Sequence, residues 1–382
     1  MKQRALNIVA DENIPALDAL FGPLGSIRRL PGRQMTADAL VDADLLLVRS
    51  ITRVDRALLD GTGVRFVGTA TIGTDHVDLD YLAGRGIAFS SAPGCNADAV
   101  VEYVLTVLYQ LAAEQGFSLR DKTLGIVGVG NVGGRLQQRL ERLGIRLLLN
   151  DPPRAEQTPQ GFVALDELLA SADIVSMHTP LVRDGLHPTY HLLDADALSR
   201  LKPGAILLNA GRGGAIDNEA LLAFARQRSD LTLVLDVWEH EPVVDPELAQ
   251  RVKFCSPHIA GYSLDGKIRG THMLYEAVCR YLGTTPEIAL EVCLPAPAIR
   301  RVDVSRQVEP LELMRLLYDP YRDDRELRAT LALPEPERGQ AFDRLRKTYP
   351  VRREFATLRV RGDLDTALAD ELAALGFGVE LA

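Results

Sequence analysis

The stretch that most restricts the fold of this chain is residues 122–151, which read KTLGIVGVGNVGGRLQQRLERLGIRLLLND. A short apolar run leads into the glycine pattern G-V-G-N-V-G, then into a segment with helical spacing, then into a second apolar run that ends in an acid. This order predicts a strand, a tight turn, a helix and a parallel strand, as in a dinucleotide-binding βαβ unit. A purely structural turn is the alternative, since the chain contains 31 glycines.

The residue types in this unit have separate physical roles. Gly128 permits the tight turn, Gly130 lets a pyrophosphate approach the backbone, and Gly133 lets the helix pack closely on the strand. The helix N-terminus then faces the anion. Asp151 can accept hydrogen bonds from both ribose hydroxyls and would repel a 2′-phosphate, so the sequence predicts NAD as cofactor. Arg154 leaves NADP open, because a nearby arginine can bind that phosphate.

Short β-type runs alternate with helix-type segments through most of the chain, which predicts parallel sheets with helical crossovers. The predicted strands are 6–10, 44–48, 64–68, 86–90, 122–130, 145–151, 172–178, 204–210, 231–237 and 252–258. Long helices are predicted over 96–115 and 263–283. Residues 284–304 are rich in proline and are interpreted as a connection, and 357–381 show a strand–helix–strand pattern.

The expected fold class is α/β, with two Rossmann-like doubly wound parallel-sheet domains, a cleft between them, and a small C-terminal α+β domain. The predicted substrate-binding lid domain is discontinuous and comprises 1–95 and 259–288. An NAD-binding Rossmann domain is predicted over 96–258, and the C-terminal domain over 289–382.

The composition excludes several classes of partner. Hydrophobic residues make up 47% of the chain and charged residues 25%, as in globular proteins. The net charge of -9 argues against nucleic acid, and no apolar run is long enough to span a bilayer. The four cysteines are scattered and the N-terminus has no signal-peptide pattern. We therefore expect a cytoplasmic protein with no metal site.

Three later strand-type runs end in polar residues that suit acid–base chemistry. The segment AILLNAGRGG offers Arg212, LVLDVWEHEP offers the acids Asp236, Glu239 and Glu241, and FCSPHIAG offers His258. In an open α/β sheet, ligands bind beyond the carboxyl ends of the strands. These side chains are therefore expected at one edge, where the nicotinamide should lie.

The set fits hydride transfer at an alcohol carbon. A histidine can take the hydroxyl proton near neutral pH, and a carboxylate beside it fixes the tautomer and favours the imidazolium. An arginine can hold a substrate carboxylate with paired hydrogen bonds. Each residue alone has a simpler interpretation: a solvated charge for Arg212, a turn acid for Glu241, a loop residue for His258. Together, behind a dinucleotide turn, they favour catalysis.

This arrangement resembles the D-isomer-specific 2-hydroxy acid dehydrogenase family, from DENIP near the N-terminus to the helix ending near residue 283. The resemblance implies that Arg212 binds and polarises the substrate, Glu241 partners the histidine, and His258 is the acid/base. The implied cofactor contacts are Gly128, Gly130, Asn131, Val132, Gly133, Asp151, Thr179, Ala210, Arg212, Asp236, His258 and Gly261. The implied substrate contacts, besides Arg212 and His258, are Ser50, Thr71 and Tyr262. Gly211 is a departure, since relatives often have Cys or Ala there.

The C-terminal addition with FDRLRKTYPVRREF is similar to that of members that oxidise a small phosphorylated 2-hydroxy acid with NAD. The resemblance further implies a homodimer joined through the C-terminal domain. Because the chain is acidic, a local basic cluster must attract the phosphate. The candidates are Arg49, Lys267, Arg269 and, from the partner subunit, an arginine among positions 344, 346, 352 and 353. Another acid such as phosphoglycerate, glyoxylate or hydroxypyruvate, or a non-catalytic NAD-sensing scaffold, remains the alternative.

Overall fold

The structure is a computed structural model that describes residues 5–305 and 307–381. Within these residues the chain divides into two compact units. The first comprises the chain up to Asn96 together with Ser263–Ala296. The second comprises Ala97–Tyr262 together with the chain from Pro297 onward. The predicted boundaries of three separate domains stay a prediction.

Strands and helices alternate along most of the described chain. The strands are β1 Leu6–Asp11, β2 Gly25–Leu30, β3 Leu45–Val48, β4 Phe66–Thr69, β5 Ala88–Ser90, β6 Thr123–Val127, β7 Arg146–Asn150, β8 Ile174–Met177, β9 Ile206–Asn209, β10 Thr232–Leu235, β11 Phe254–Cys255, β12 Arg301–Val304, β13 Arg359–Gly362 and β14 Gly378–Leu381. The helices are α1 Leu17–Phe21, α2 Arg56–Leu59, α3 Leu79–Gly84, α4 Ala97–Gln115, α5 Asn131–Arg142, α6 Pro152–Gln157, α7 Leu165–Ser171, α8 Ala195–Ser199, α9 Asn218–Gln227, α10 Pro246–Arg251, α11 Leu264–Leu282, α12 Leu290–Cys293, α13 Pro310–Leu317, α14 Pro320–Thr330, α15 Glu335–Lys347 and α16 Thr366–Leu375.

The first unit is built on a five-stranded parallel sheet in the order β2-β1-β3-β4-β5. Successive residues of its strands are buried on opposite faces. Ile8 and Ala10 pack in one apolar cluster with Leu274 and Val278 of α11, whereas Val9 packs in a second cluster. Because both faces are covered, the strands are apolar almost throughout, as in other buried parallel sheets.

The second unit contains a six-stranded parallel sheet in the order β11-β10-β9-β8-β6-β7. The chain leaves β6 for β7 on one side and returns to β8 on the other, so the sheet is doubly wound, as predicted. In such sheets, ligands bind outside the carboxyl ends of the strands where the winding reverses. That point lies beyond β6 and β8, directly at the predicted glycine turn.

The C-terminal segment adds a three-stranded parallel sheet in the order β12-β13-β14, and α16 connects its last two strands. Its core is continuous with that of the dinucleotide-binding sheet. Phe355 and Leu372 are buried in the same apolar cluster as Leu108 of α4 and Leu136 of α5. The segment therefore packs as part of the second unit.

Two strands lie where no strand was predicted. The strand β2, GSIRRL, was not predicted, and β12 and the short α12 fall inside the segment that we interpreted as a connection, so that interpretation is wrong in this respect. Both β2 and β12 are edge strands with alternating exposed residues. Edge strands tolerate polar side chains, so their hydrophobic periodicity is weak.

The helices α4 and α11 are the longest among the described residues, with 19 residues each. Both were predicted from apolar periodicity within a residue or two. Over 5–305 and 307–381, no helix combines the length and the apolar character that crossing a membrane would require.

Candidate active site

The glycine turn after β6 is shaped by steric limits at its glycines. Gly128 has a φ of 86°, and a Cβ atom there would lie 2.8 Å from the backbone nitrogen of Thr179. A Cβ atom at Gly133 would lie 2.0 Å from the carbonyl oxygen of Gly128, so α5 sits against the turn. At Gly130 the corresponding space is open to 4 Å among the described residues. Of these three glycines, Gly130 is therefore the one beside which the turn leaves room for a ligand.

The N-terminus of α5 faces this open space. Gly130 precedes the helix and has no side chain to cap it. The first backbone N–H groups of the helix, those of Asn131 and Val132, have no partner within the helix by its geometry. Such N–H groups and the helix dipole favour a phosphate anion. Both residues therefore lie where cofactor contacts were predicted.

Asp151 follows β7 and is tied to the glycine turn. Its Oδ2 accepts a hydrogen bond from the N–H of Val129 at 2.8 Å, and its Oδ1 accepts one from the N–H of Arg154 at 3.1 Å. The Arg154 guanidinium donates back to the carbonyl oxygen of Val129 at 2.5 Å and lies over the ring of Phe162. The carboxylate and the turn therefore form one rigid edge, as a ribose-binding acid requires.

Two residues after β8 complete this edge. Thr179 Oγ1 is buried and has no hydrogen-bond partner among the described residues, which fits a polar group supplied by a bound dinucleotide. The neighbouring His178 is half-buried with its Nδ1 fully enclosed, and desolvation lowers its pKa to about 4. Its Nε2 lies 2.8 Å from Ser176 Oγ, so this histidine is neutral at pH 7 and serves the edge as an uncharged group. Together with the open space at Gly130, these groups fit NAD.

His258 and Glu241 form a hydrogen-bonded pair. His258 Nδ1 lies 2.8 Å from Glu241 Oε2, and Glu241 Oε1 accepts a hydrogen bond from the N–H of Trp238 at 2.9 Å. A charged carboxylate can only accept, so Nδ1 carries the proton and the neutral ring keeps Nε2 as acceptor. The His258 side chain remains 32% exposed.

The charge of Glu241 is stabilised by its neighbours. Burial raises the pKa of Glu241, but the charge and hydrogen bond of His258, the N–H of Trp238 and the charge of Arg346 outweigh it. The pKa of Glu241 therefore lies below its ordinary value. The carboxylate stays ionised at neutral pH and favours a protonated histidine.

The backbone at His258 is held by Asp236, a role that the sequence did not reveal. The Asp236 carboxylate accepts hydrogen bonds from Ser256 Oγ at 2.6 Å and from the N–H groups of Ile259 and Ala260 at 2.8 and 2.9 Å. Its carbonyl oxygen accepts from the N–H of His258 at 2.7 Å. These bonds hold His258 at a φ of 56°, which is rare for residues other than glycine. That Asp236 also contacts the cofactor stays a prediction.

The loop with Arg212 packs against the segment with Glu241. Asn209 accepts a hydrogen bond from the N–H of Gly211 and donates to the carbonyl oxygen of Arg212, both at 3.0 Å. A Cβ atom at Gly213 would lie 2.0 Å from the backbone of Trp238, so only glycine allows this contact. The steric limit at Gly211 is less strict, since a Cβ atom there would lie 3.1 Å from the nearest backbone oxygen.

The structure separates the two glutamates that the sequence offered together. Glu239 Oε1 lies 2.5 Å from His191 Nε2 and accepts from Tyr190 Oη, while Oε2 accepts from the N–H of Asn218 at 3.0 Å. With Asp217, this group brings potential metal-ligand atoms within 4.8 Å of one another. These atoms, however, already form hydrogen bonds: His191 bonds to Glu239, and both carboxylates accept from backbone N–H groups. His191 had no predicted partner, since its contacts are distant in the chain.

The remaining predicted cofactor and substrate residues are placed as follows. Ala210 follows β9, and Gly261 and Tyr262 follow the His258 turn, where all three are half-buried. Arg49 and Ser50 follow β3, and Thr71 lies just beyond β4, so they share the carboxyl edge of the first unit's sheet. Thr71 Oγ1 lies 2.7 Å from Thr69 Oγ1, and Lys267 lies in the first turn of α11.

The C-terminal arginines differ sharply in their surroundings. The Arg352 guanidinium donates to the carbonyl oxygens of Ala260 and Ala99 at 3.0 and 2.6 Å, so it stabilises the His258 turn from behind. Arg346 lies over the ring of Tyr262 in the same chain, 5.7 Å from its centroid. That an arginine of a partner subunit reaches the substrate stays a prediction.

Comparison with known proteins agrees with this geometry. Residues 104–260 match the profile of "D-isomer specific 2-hydroxyacid dehydrogenase, NAD binding domain", and residues 293–376 match a "Domain of unknown function (DUF3410)". Erythronate-4-phosphate dehydrogenase of Marinobacter nauticus is 51% identical over 98% of this chain and its own full length. The enzyme of that name from Pseudomonas aeruginosa is 50% identical over 97% of this chain and 99% of its own. The chain belongs to the D-isomer specific 2-hydroxyacid dehydrogenase family.

Solved structures support the fold. The TT0316 protein of Thermus thermophilus is 28% identical with a TM-score of 0.61, over 74% of this chain and 99% of its own. An NAD-bound 3-phosphoglycerate dehydrogenase of Entamoeba histolytica is 24% identical with a TM-score of 0.63, over 73% of this chain and 96% of its own. This family member is an NAD-dependent oxidoreductase.

Proposed function

We propose that this chain oxidises 4-phospho-D-erythronate at its 2-hydroxyl group to (R)-3-hydroxy-2-oxo-4-phosphooxybutanoate, a step of pyridoxal 5′-phosphate (vitamin B6) biosynthesis. The hydrogen bond between His258 Nδ1 and Glu241 Oε2 carries the proposal, because it leaves Nε2 as a proton acceptor beside a dinucleotide-binding edge. The choice of acid is supported by enzymes named for this substrate, which are 50–51% identical to this chain over almost its full length.

In this mechanism the protein supplies proton transfer and orientation. His258 Nε2 takes the proton of the 2-hydroxyl, and the imidazolium that forms is stabilised by the ionised Glu241. Arg212 binds the substrate carboxylate and polarises the oxygen at carbon 2. Bound NAD would accept the hydride from carbon 2. The cofactor contacts named above for the glycine turn, Asp151, Thr179, Ala210, Asp236 and Gly261 are part of this proposal.

The proposed substrate contacts are hydroxyl and basic side chains. Ser50, Thr71 and Tyr262 can donate hydrogen bonds to a polyhydroxylated chain, and Arg49 and Lys267 carry the charge that a phosphate requires. The position of Ser50 and Thr71 at the carboxyl edge of a parallel sheet supports this assignment.

The assembly and location of the protein complete the proposal. A homodimer through the C-terminal segment is supported by apolar side chains that this segment exposes, among them Val351 at 74% and Leu381 at 68%. A cytoplasmic location is supported by its four free cysteines, which suit a reducing compartment.

The deciding experiment follows the oxidation of 4-phospho-D-erythronate by purified protein, with NAD or a 2-oxo acid as acceptor. D-erythronate and 3-phosphoglycerate are run alongside, as are the variants His258→Ala and His187→Ala. We expect turnover with the phosphorylated four-carbon acid, a loss of at least 10³-fold in kcat in His258→Ala, and no loss in His187→Ala. His187 is a matched control because it pairs with Glu156 at 2.8 Å and belongs to none of the proposed contacts.

Other outcomes identify the alternatives. A preference for 3-phosphoglycerate or another 2-hydroxy acid would keep the mechanism and overturn the substrate. Bound NAD without turnover on any acid would overturn the enzymatic proposal in favour of an NAD-sensing scaffold.

A further inference from the structure

We propose that Arg346, in the last turn of α15, is a specificity-determining residue that binds the substrate phosphate within its own subunit. This inference rests on the proposed function for the identity of the substrate. It assigns a role in the site to the C-terminal segment, whose matching family model is a domain of unknown function.

The helix that carries Arg346 is fixed against the catalytic loop. A Cβ atom at Gly339 of α15 would lie 3.4 Å from Pro242 and 3.4 Å from Val243, which directly follow Glu241. Phe342, one turn before Arg346, is 1% exposed and belongs to the apolar cluster that includes Trp238. The backbone N–H of Trp238 also donates to Glu241. Trp238 therefore contacts both the apolar cluster of α15 and the hydrogen-bond partner of His258.

The guanidinium of Arg346 lies beside the proposed substrate residue Tyr262. Its central carbon is 5.7 Å from the ring centroid of Tyr262 and 5.9 Å from that of Phe342. Tyr262 is joined to the His258 turn by a hydrogen bond from its N–H to the carbonyl oxygen of Ile259 at 2.8 Å. A phosphate near the Tyr262 hydroxyl could therefore also accept hydrogen bonds from Arg346.

Arg346 is half-buried and has no ion pair among the described residues. Among residues 5–305 and 307–381, no carboxylate oxygen lies within 4.0 Å of its guanidinium, and its buried Nε has no hydrogen-bond partner. Buried charges are usually paired, because desolvation is costly. Two other arginines of the C-terminal segment have carboxylate partners, Arg322 with Asp323 at 2.9 Å and Arg328 with Asp324 at 2.8 Å, whereas the buried Arg352 bonds to backbone carbonyl oxygens. An anionic ligand would satisfy Arg346 in the same way.

The charge of Arg346 is secure. Burial acts to lower its pKa. The charge interactions with Tyr262 and Glu241 and a hydrogen bond with Tyr262 outweigh burial, so the pKa of Arg346 lies above its ordinary value. Arg212 is assigned to the substrate carboxylate, which leaves the phosphate as the second anionic group of the same substrate. A fixed guanidinium suits a phosphate better than a flexible ammonium, because it donates two parallel hydrogen bonds.

The test compares Arg346→Gln with Arg344→Gln, an exposed arginine in the same helix turn. Steady-state rates are measured with 4-phospho-D-erythronate and D-erythronate, and inorganic phosphate is used as a competing probe. We expect Arg346→Gln to lower kcat/KM for the phosphorylated acid about 100-fold, mainly through KM, and to weaken phosphate inhibition similarly. D-erythronate oxidation should fall much less, and only to the extent that the Arg346 charge helps to keep Glu241 ionised. Arg346→Lys should recover part of the loss, and Arg344→Gln should behave as wild type.

Equal losses on both acids, or no loss on the phosphorylated acid, would overturn the proposal. If the wild type does not oxidise 4-phospho-D-erythronate, the proposed function fails, and calorimetric titration of inorganic phosphate into the NAD-loaded protein still decides the role of Arg346. Equal phosphate affinity in wild type and Arg346→Gln would then refute it.

Mixing two kinds of defective subunit, assayed at substrate concentrations well below KM, decides between the two possible sources of the arginine. A dimer of one His258→Ala subunit and one Arg346→Gln subunit has a defect in each site if Arg346 acts within its own subunit. We therefore expect no recovery of activity on mixing. Recovery toward half the wild-type rate would show that Arg346 serves the partner's site and would contradict the assignment.

Discussion

Glu241 acts as a fixed hydrogen-bond acceptor because both of its oxygens are engaged. Oε1 accepts from the N–H of Trp238 and Oε2 faces His258 Nδ1. A glutamine could keep the first bond only by turning its amide nitrogen toward His258. Nδ1 would then have to accept, the proton would move to Nε2, and the ring would lose its free acceptor for the substrate proton.

We therefore expect Glu241→Gln to lower kcat on the order of 10²- to 10³-fold, with little change in NAD affinity. Initial rates and a fluorescence titration of NAD measure the two effects. An equal loss in NAD affinity, or a nearly unchanged kcat, would show that the pair does not set the histidine tautomer.

The same pair makes stability depend on pH. The pKa of Glu241 is lower in the folded chain than its ordinary value. The stabilisation is therefore complete above the ordinary pKa of a glutamate and is lost as the pH falls through the lower folded value. At pH 7 we expect Glu241→Gln to reduce the free energy of unfolding by about 1–3 kcal/mol, and we expect this difference to shrink at pH 3.

Urea denaturation at both pH values measures this difference. Glu247→Gln is the control, since Glu247 forms an exposed pair with Arg226 and such pairs contribute little to stability. A difference for Glu241→Gln that is the same at pH 3 and pH 7 would exclude the charged pair as its source.

At the scale of elements, the contact between α5 and the glycine turn depends on two adjacent glycines with different surroundings. A Cβ atom at Gly133 would lie 2.0 Å from the carbonyl oxygen of Gly128, which cannot move without changing the turn. At Gly134 the nearest atom would be the carbonyl oxygen of Val129 at 3.5 Å, an ordinary contact. The helix can therefore gain a methyl group at one position and not at the other.

We expect Gly133→Ala to displace α5 from the turn and to weaken NAD binding at least tenfold, with about 1–3 kcal/mol lost in unfolding free energy. Gly134→Ala should keep NAD affinity and gain up to about 1 kcal/mol, because alanine favours the helix. NAD titration and thermal denaturation of both variants measure these changes. Similar behaviour of the two variants would contradict the close approach at Gly133.

At the scale of the whole molecule, the C-terminal segment has two proposed roles. It positions Arg346 through α15, and it joins two subunits. If the exposed apolar residues Val351 and Leu381 lie in the interface, the double variant Val351→Lys/Leu381→Lys should raise the dimer dissociation constant at least tenfold. Sedimentation velocity over a concentration series measures it. Leu186→Lys is the control, because Leu186 is 80% exposed but lies outside the C-terminal segment. A monomeric wild type at micromolar concentration would refute the dimer.

The sequence alone determined the features whose signals are local. Apolar runs of strand length indicated most of the strands of the parallel sheets, and the spacing of Gly128, Gly130 and Gly133 indicated the dinucleotide turn, since both depend on residues close together in the chain. The positions of Arg212 and His258 at strand ends followed from the same rule. The edge strands β2 and β12 lacked a strong hydrophobic period and were missed.

Only the tertiary structure decided the pairings between distant residues. It placed Glu241 against His258, as the family resemblance implied, and joined Glu239 to His191, although both acids stand in one short loop. It also showed Asp236 bound to the turn at His258, and brought Arg346 to Tyr262 from 84 residues further along the chain. Such contacts depend on how whole helices and loops pack, and a local pattern carries no information about that packing.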